Sequence, residues 1–600
     1  MALIAGYVAQ QQQPTEAIRE RVRSFSILPG ESAAAYEQVV VASQFGHLIV
    51  KHKATYPIKP QIGSDAHGNT LAVLGFVLSG DGLLARCART TARALDECEG
   101  QFVAIYAEAL TGAVHVVNDR FSSRPFYTIR RHDGTYFSSS VAFLLALSQA
   151  PYRPDAIGWL EACTLDHTLG TRTTADGVQR LRPATHLIIT PEKVAERQYW
   201  RLEHRPDPSL NPASHSAEVF QAFRTSTERR AALVGKGVLA LSGGLDSRLV
   251  AGALPANVDF SAFTFVDKAN TDSTPETRAA SAVSAALGLR HHVEALPDGF
   301  ARPSEVIALT GGMRPYQHMA IVMAYIQEIR RMGAAFLLGG GPGDSLAGAF
   351  IPSQAYVDPA RTAECIDNAY RRCLGHTRDW SLAFRDDVIE GSRRIVQDAI
   401  AESFATVGGP TAAHRITAWA MVYRQAAFTF TSVLHTHPDV TEAASHLDYR
   451  YTDLMLQLPA SWLYQKAFYS YMIYQGLPQL RGIPYANTGA LISGQPPREI
   501  PRELPVRRMW DFAQSFGRRA AGRLLRSITP ERRRPSLFFK GALLDEVQEC
   551  IHSIPTLRDI VDVQRCDDLV SRTRAGQCPS EQVLGCLSSL SLSSAILGRN

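Results

Sequence analysis

Lysine is scarce in this chain. It occurs only at positions 51, 53, 59, 193, 236, 268, 466 and 540, and the other 54 of the 62 basic residues are arginine. Such a bias more often reflects a GC-rich genome than chemistry, but it leaves few lysines as candidate catalysts. A surplus of one charge is missing too: 62 basic against 57 acidic residues leaves +5 over 600 residues, too little to argue nucleic-acid binding. The nine cysteines form no CxxC pair and have no partner histidine at zinc spacing, which excludes the usual structural zinc modules and points to reduced thiols in a cytoplasmic protein. Long apolar runs are absent, since the stretches around Ala320–Tyr325 and Ala418–Leu434 are short or carry arginine, so no ordinary membrane span is expected. Met1 to Tyr7 is apolar, but no charged segment precedes it and Gln10–Gln13 follow at once, so a signal peptide is not expected either. No period of 20–50 residues repeats.

What is present changes in texture along the chain. From Leu3 to about Trp200, short β-rich segments alternate with Gly, Asn and Asp turns: Leu71–Leu78, Gln101–Ala107, Ala113–Val117, Pro125–Ile129 and His186–Thr190. Arg205–Ala213 holds three prolines and reads as a linker. The expected division is therefore 1–204, a linker at 205–213, and 214–600. Beyond the linker, apolar strands at Gly237–Leu241, Asp259–Val266 and Ala334–Leu338 alternate with helical patterns at Arg248–Leu254 and Thr277–Leu287, which predicts a parallel, doubly wound sheet. From about Tyr356 onward helical patterns dominate.

The most informative segment is Ser242-Gly243-Gly244-Leu245-Asp246-Ser247, which lies between Leu241, the end of a buried strand, and a helix. Two glycines allow a tight turn whose N–H groups, with the helix N-terminus, make a cradle for pyrophosphate. Hydroxyls at 242 and 247 add donors. Asp246 would repel a phosphate unless Mg²⁺ lay between them, so the loop points to metal-bridged nucleotide. The GK[ST] of a Walker loop is missing, which disfavours γ-phosphoryl transfer. The string resembles the loop of the ATP pyrophosphatases, which cleave ATP between the α- and β-phosphates.

With that loop, further residues resemble the asparagine-synthetase superfamily over nearly the whole chain: Pro275-Glu276, Ala280, Val283, Leu287-Gly288 and His291; the stretch Leu338 to Gly348; His446-Leu447-Asp448 followed by Leu458-Pro459; and Tyr199-Trp200 closing the first domain. The resemblance implies an N-terminal glutaminase-like (Ntn-type) α/β/β/α sandwich joined to an ATP-pyrophosphatase domain with a helical extension. It also implies ATP and Mg²⁺, with Asp246 and Asp344 on the metal. Leu241 to Ser247, Phe265, Gly340 and Gly341 would lie round the nucleotide, and Glu276 is a weaker candidate.

Three departures shape the functional expectation. Family members that use glutamine carry a nucleophilic cysteine at the second position, where this chain has Ala2, and the asparagine of their glutamine-binding stretch is missing at Leu74-Gly75-Phe76-Val77. Alanine cannot attack an amide, so glutaminase activity should be absent while Gly100-Gln101-Phe102 and Asp119 to Tyr127 keep the scaffold. Gly341 stands where asparagine synthetases have a glutamate beside the reacting centre, which leaves room for a bulkier acceptor. The family's catalytic lysine is missing from Ile483–Gly494, so Lys466 and Lys540 are the remaining candidates, although a lone lysine is more often a surface residue. Branches without the cysteine include β-lactam synthetases and lasso-peptide macrolactam synthetases, and the Gly339–Gly348 loop looks more like the latter. That resemblance implies adenylation of a carboxylate and macrolactam closure on a precursor (core) peptide, with a leader protease and a leader-binding protein as partners. The alternatives are ammonia-dependent asparagine synthesis and a β-lactam-synthetase-like ligase. Two features are less specific: Gly312 to His318 ahead of a helix, and eleven arginines between Arg498 and Arg534, a pattern that can dock an acidic peptide or a partner but more often is a solvated face.

Overall fold

The computed structural model describes residues 2–9, 13–78, 82–266, 274–295, 302–486, 488–498 and 541–598. The first third of the chain forms twelve described strands: β1 (Leu3–Ala9), β2 (Tyr36–Ser43), β3 (Gly46–Lys53), β4 (Gln61–Ser64), β5 (Thr70–Val77), β6 (Gly100–Ala107), β7 (Val114–Asn118), β8 (Tyr127–Arg131), β9 (Gly134–Ser138), β10 (Val178–Arg180), β11 (Thr185–Ile189) and β12 (Val194–Gln198). They make two antiparallel sheets, ordered β10-β8-β9-β1-β3-β2 and β12-β11-β7-β6-β5-β4. Residues from both sheets, among them Ile4, Val50, Leu74, Val103 and Phe137, meet in one dry cluster. The outer face of the first sheet is covered by the helices Thr15–Ser24 and Val141–Ser148, and that of the second by Leu83–Thr90. This is the expected α/β/β/α sandwich: strands buried on both faces read as near-continuous apolar runs.

The second unit is built on β13 (Lys236–Ala240), β14 (Asp259–Val266), β15 (Arg290–Ala295), β16 (Phe336–Gly339) and β17 (Thr441–Ala444). Their order is β15-β14-β13-β16-β17 and every pairing is parallel. The chain winds outward in both directions from β13, so β13 and β16 are adjacent and their C-terminal ends form the crevice where ligands of such sheets bind. The strand expectations for β13, β14 and β16 hold within two residues. The short, polar edge strand β15 and the four-residue β17, inside a stretch read as helical, are additions made by the structure. So are β2 and β3.

The proline-rich stretch is tied down rather than loose. Arg205 and Asp207 donate backbone N–H groups to the carbonyls of Leu456 and Gln457, both at 2.9 Å, and Asn211 caps the helix Pro212–Ala231. The two units share one apolar core in which Phe76, Phe121 and Trp159 pack with Leu239, Leu249 and Leu447. Polar groups cross the same boundary. Arg124 donates to the carbonyl of Glu442 at 3.0 Å, Ala444 N–H to Gln101 Oε1 at 2.8 Å, and Arg229 to Glu99 at 2.7 Å. None of the nine cysteines is in a disulfide, and no described helix is long and apolar enough to cross a membrane.

Candidate active site

Strand β13 ends at Ala240, and the chain turns through Ser242-Gly243-Gly244 into the helix Leu245–Gly252. The turn is held from within: Ser242 N–H donates to Ser247 Oγ at 3.0 Å, the two serine hydroxyls lie 2.9 Å apart, and Gly244 N–H donates to Ser242 Oγ at 3.1 Å. Gly243 is required by crowding, because a Cβ there would run into Ala486 and lie 3.2 Å from the Glu276 backbone. Its carbonyl accepts from Ala486 N–H at 3.1 Å. Arg248, buried on the same helix, donates to the carbonyls of Ile483 and Pro484, each at 2.9 Å. The segment after Ile483, which lacks the lysine that the family carries there, is thereby docked onto the loop. Glu276 stands at the start of the helix Pro275–Leu287 against Gly243, with an exposed side chain.

The second half of the site follows β16. A Cβ at Gly340 would lie 3.1 Å from Ser247 N and 3.4 Å from Asp246 Cβ, so the Gly340-Gly341 turn abuts the first turn of the helix carrying Asp246. Asp344 opens the short helix Gly343–Leu346, and Asp246 feels its negative field. Burial lifts the Asp246 carboxyl to about 6, opposed by the Lys466 ammonium and reinforced by Asp344, with the Tyr469 hydroxyl beside it. Its Oδ1 is sealed from solvent without a hydrogen-bond partner. A buried carboxylate oxygen with no donor is costly unless a cation or donor completes it. Among the described residues no group of three or more His, Cys, Asp or Glu could hold a metal by itself, so a cation at Asp246 and Asp344 would take its other ligands from phosphate and water, as Mg²⁺ commonly does.

Of the two candidate lysines, the structure brings Lys466 to this site, while Lys540 lies outside the described residues. Gln465 and Lys466 both have left-handed backbones, at φ +55° and +56°, a conformation costly for side-chain-bearing residues and frequent at functional sites. The Lys466 ammonium makes no hydrogen bond among the described residues, and its charge reaches Asp246 and His446. His446 is buried beneath Gly343 and shares a 2.9 Å hydrogen bond with Tyr469. Burial, with the charges of Arg230 and Lys466, holds its imidazole neutral with a pKa of about 3.

Other expected positions have structural work. Leu241 and Leu245 are core. The Phe265 ring packs on Tyr325, with centroids 4.7 Å apart. His291 meets Thr264 Oγ1 at 2.8 Å, and that hydroxyl donates to the Leu241 carbonyl. Asp448 caps the helix Tyr449–Met455 and faces Arg230. Gly341 has no atom within 4 Å of its would-be Cβ, so the position is open. In the sandwich Ala2 and Leu74 belong to one apolar cluster, and both are buried. The arginine-rich stretch, from the residue after Arg498 through Arg534, lies outside the described residues. Sequence reading missed Arg424, Gln425 and Phe428, which stand on a helix with no motif of its own.

Two family models match separate stretches of the chain. Residues 80–200 match the glutamine amidotransferase domain family and residues 218–454 the asparagine synthase family. Solved structures similar to the chain include the allosteric regulatory enzyme of purine biosynthesis, at 10% identity over 56% of this chain and 89% of that one, TM-score 0.23. Another is glutamine phosphoribosylpyrophosphate amidotransferase from B. subtilis complexed with ADP and GMP, at 12% identity over 57% and 82%, TM-score 0.20. No curated protein matches the chain. The chain thus joins an amidotransferase-type sandwich to an asparagine synthase domain, the two domains of the asparagine-synthetase superfamily. It is an ATP-dependent carbon–nitrogen ligase of the asparagine-synthetase type.

Proposed function

We propose that this ligase converts a substrate carboxylate to its adenylate and closes a macrolactam when an amine of the same substrate attacks it. The observation that carries the reading is the unpartnered, buried Asp246 oxygen, on a carboxylate that feels the charge of Asp344 and abuts the Gly340 turn, within the Ser242–Ser247 loop. Bound there, Mg²⁺ would neutralise charge on the departing pyrophosphate, held by Asp246 and Asp344.

The chain's residues divide the remaining work. Backbone N–H groups of the loop and the Ser242 and Ser247 hydroxyls hold the phosphates. A carboxylate oxygen of the substrate bonds to the α-phosphorus as the bond to the β-phosphate bridging oxygen breaks. The amine nitrogen then bonds to the acyl carbon, AMP leaves with the electron pair of the broken C–O bond, and the amine proton passes to solvent. Lys466 is set to hold negative charge on the adenylate. Orienting an amine within the same molecule contributes on the order of 7–11 kcal/mol when near-attack geometry is reached. Gly341 supports an acceptor larger than ammonia, and a core peptide is the substrate class preferred here, with a leader protease and a leader-binding protein as partners. Ala2 and Leu74, both in apolar core, support nitrogen that does not come from glutamine.

Pyrophosphate release tests the reading. The purified chain with ATP and Mg²⁺ is expected to release pyrophosphate and AMP with a precursor peptide and not with aspartate plus ammonium. Asp246→Asn is expected to lose at least a hundredfold of that rate. Release with aspartate and ammonium alone would assign asparagine synthesis, and release of ADP would overturn both.

A further inference from the structure

Residues Ala420–Thr429 form a π-helix, in which Phe430 N–H reaches back five residues to the Gln425 carbonyl at 3.0 Å. Such turns are rare and concentrate at functional sites. This one is joined to the candidate active site: Gln425 Nε2 donates to the hydroxyl of Ser345, next to Asp344, at 2.5 Å, and Thr429 donates to Gln425 Oε1.

The neighbouring Arg424 is a cation without an anion. Its guanidinium lies over the rings of Phe428 and Phe350, at 4.4 and 5.1 Å, and makes no hydrogen bond or ion pair among the described residues. The carboxylates whose fields reach it are Asp344 and Asp166. A second guanidinium, Arg314, stacks on the same Phe428 ring at 3.5 Å. Arg314 is 2% exposed, its Nε has no partner, and its hydrogen bond to the Asp166 carbonyl is a long one, 3.5 Å. It comes from the Gly311-Gly312-Met313-Arg314 turn, whose two glycines have φ of +63° and +77°.

Two like charges on one ring repel each other, and burial without acceptors adds to the cost. Burial lowers the proton affinity of each guanidinium; Asp166 opposes this at Arg314, Asp344 and Asp166 oppose it at Arg424, and Arg424 adds to the lowering at Arg314. Arginine keeps its proton, and the fields of Asp344 and Asp166 offset the cost only in part, so an oxyanion would complete the pair. Aromatic stacking leaves the edges of the fork free for bidentate contact with a planar or tetrahedral oxyanion.

We propose that Arg314 and Arg424, stacked on Phe428, form an oxyanion subsite beside Asp344 that holds either the carboxylate to be activated or the expelled pyrophosphate. The proposal rests on the ligase reading for the identity of the anion, but not for the existence of the site. It makes both arginines positioning residues for the reactants.

Phenylglyoxal labelling of the full chain, read at Arg424 by peptide mass spectrometry, tests the site without turnover. Arg424 is expected to label in the free chain and to be protected at least fivefold by an anion. Protection by inorganic pyrophosphate with Mg²⁺ assigns the phosphate source, and protection by L-aspartate or L-glutamate assigns the carboxylate source. Equal labelling with every anion, or no labelling in the free chain, overturns the proposal. A parallel measurement uses Arg424→Gln, because Arg424 is only partly buried, whereas Arg314→Gln removes a buried group; an unchanged urea midpoint checks that the variant keeps the fold. Equilibrium dialysis of the protecting anion is expected to show at least tenfold weaker binding, with AMP binding unchanged; unaltered anion binding counts against the subsite. A chain that released ADP but protected Arg424 would lose the ligase reading and keep the subsite, and one that formed AMP with Arg424 unprotected would do the reverse.

Discussion

At the scale of single residues, the candidate site is organised by what is missing as much as by what is present. Gly341 is exposed, has open space about its would-be Cβ, and its backbone is not left-handed. Gly341→Glu is therefore expected to fold with a Tm within about 2 °C of the parent, since surface changes free of clashes stay near ±0.5 kcal/mol. On the proposed function it should also suppress peptide-dependent pyrophosphate release, because the carboxylate would take up space which that reading gives to the acceptor; retention of full activity would remove Gly341 from the account. Lys466 makes the opposite case, a charge held by two consecutive left-handed residues close to Asp246. Lys466→Met is expected to lower kcat by about 10²–10³, the usual cost of one preorganised donor to developing charge, with little change in KM for ATP. A change confined to KM would make it a binding residue only.

At the scale of elements, Arg248 joins two of them. It sits in the helix that begins the nucleotide loop, and its two hydrogen bonds hold the Ile483–Pro484 turn, which in turn places Ala486 against Gly243. Arg248→Met keeps the volume of the stem but leaves two carbonyls without donors. A loss of about 1–3 kcal/mol in urea unfolding is expected, since the Ile483 carbonyl is left as a stranded buried acceptor while water can reach that of the exposed Pro484. ATP affinity should weaken in the same variant, because the loop loses the segment that backs it. Unfolding free energy within about 0.5 kcal/mol of the parent would show that the docking is incidental.

At the scale of the molecule, the two units are wired together through groups that titrate. Glu442 on β17 is buried at the boundary, its carbonyl bonded to Arg124 from the sandwich and its carboxylate 3.1 Å from His435 Nε2. Burial lifts its carboxyl to about 7, with Arg124 opposing the shift. The unfolded carboxyl titrates near 4.3, so the folded chain holds an extra proton between roughly 4.3 and 7. The stability contributed by this group is complete below that window and is lost as pH rises through about 7. Glu442→Gln is expected to remove this group's downward contribution, so that the stability of the parent relative to the variant falls between about pH 5.5 and 7.5, measured by urea midpoints at both values for both chains. An unchanged slope would place the titration elsewhere. Around this boundary the motif Asp119-Arg120-Phe121 has become a clamp: Asp119 collects backbone N–H groups, and Arg120 stacks on Tyr449 at 4.0 Å and pairs with Asp453 at 3.1 Å.

Much of this could be read from local pattern. Alternation of apolar strands with helical spacing, the Ser-Gly-Gly-Leu-Asp-Ser turn and the alanine at position 2 are all contained in short stretches of chain, where backbone geometry and side-chain chemistry act without distant partners. They were enough for a β-rich first third and for the parallel sheet; the sandwich, and Ala2 in the place of a nucleophile, rested on the resemblance to the asparagine-synthetase superfamily. The lysine could not be chosen in that way. Lys466 and Lys540 look alike in sequence, and Lys466 reaches Asp246 because a left-handed pair of residues turns it there. Arg314 lies in the Gly312–His318 stretch that the sequence marks only weakly, Arg424 carries no motif, and the two stand 110 positions apart, yet share one aromatic ring. Local residue chemistry determined which groups this protein has available; packing between distant segments decided which of them stand together, because burial and electrostatic coupling depend on neighbours that the linear order does not specify.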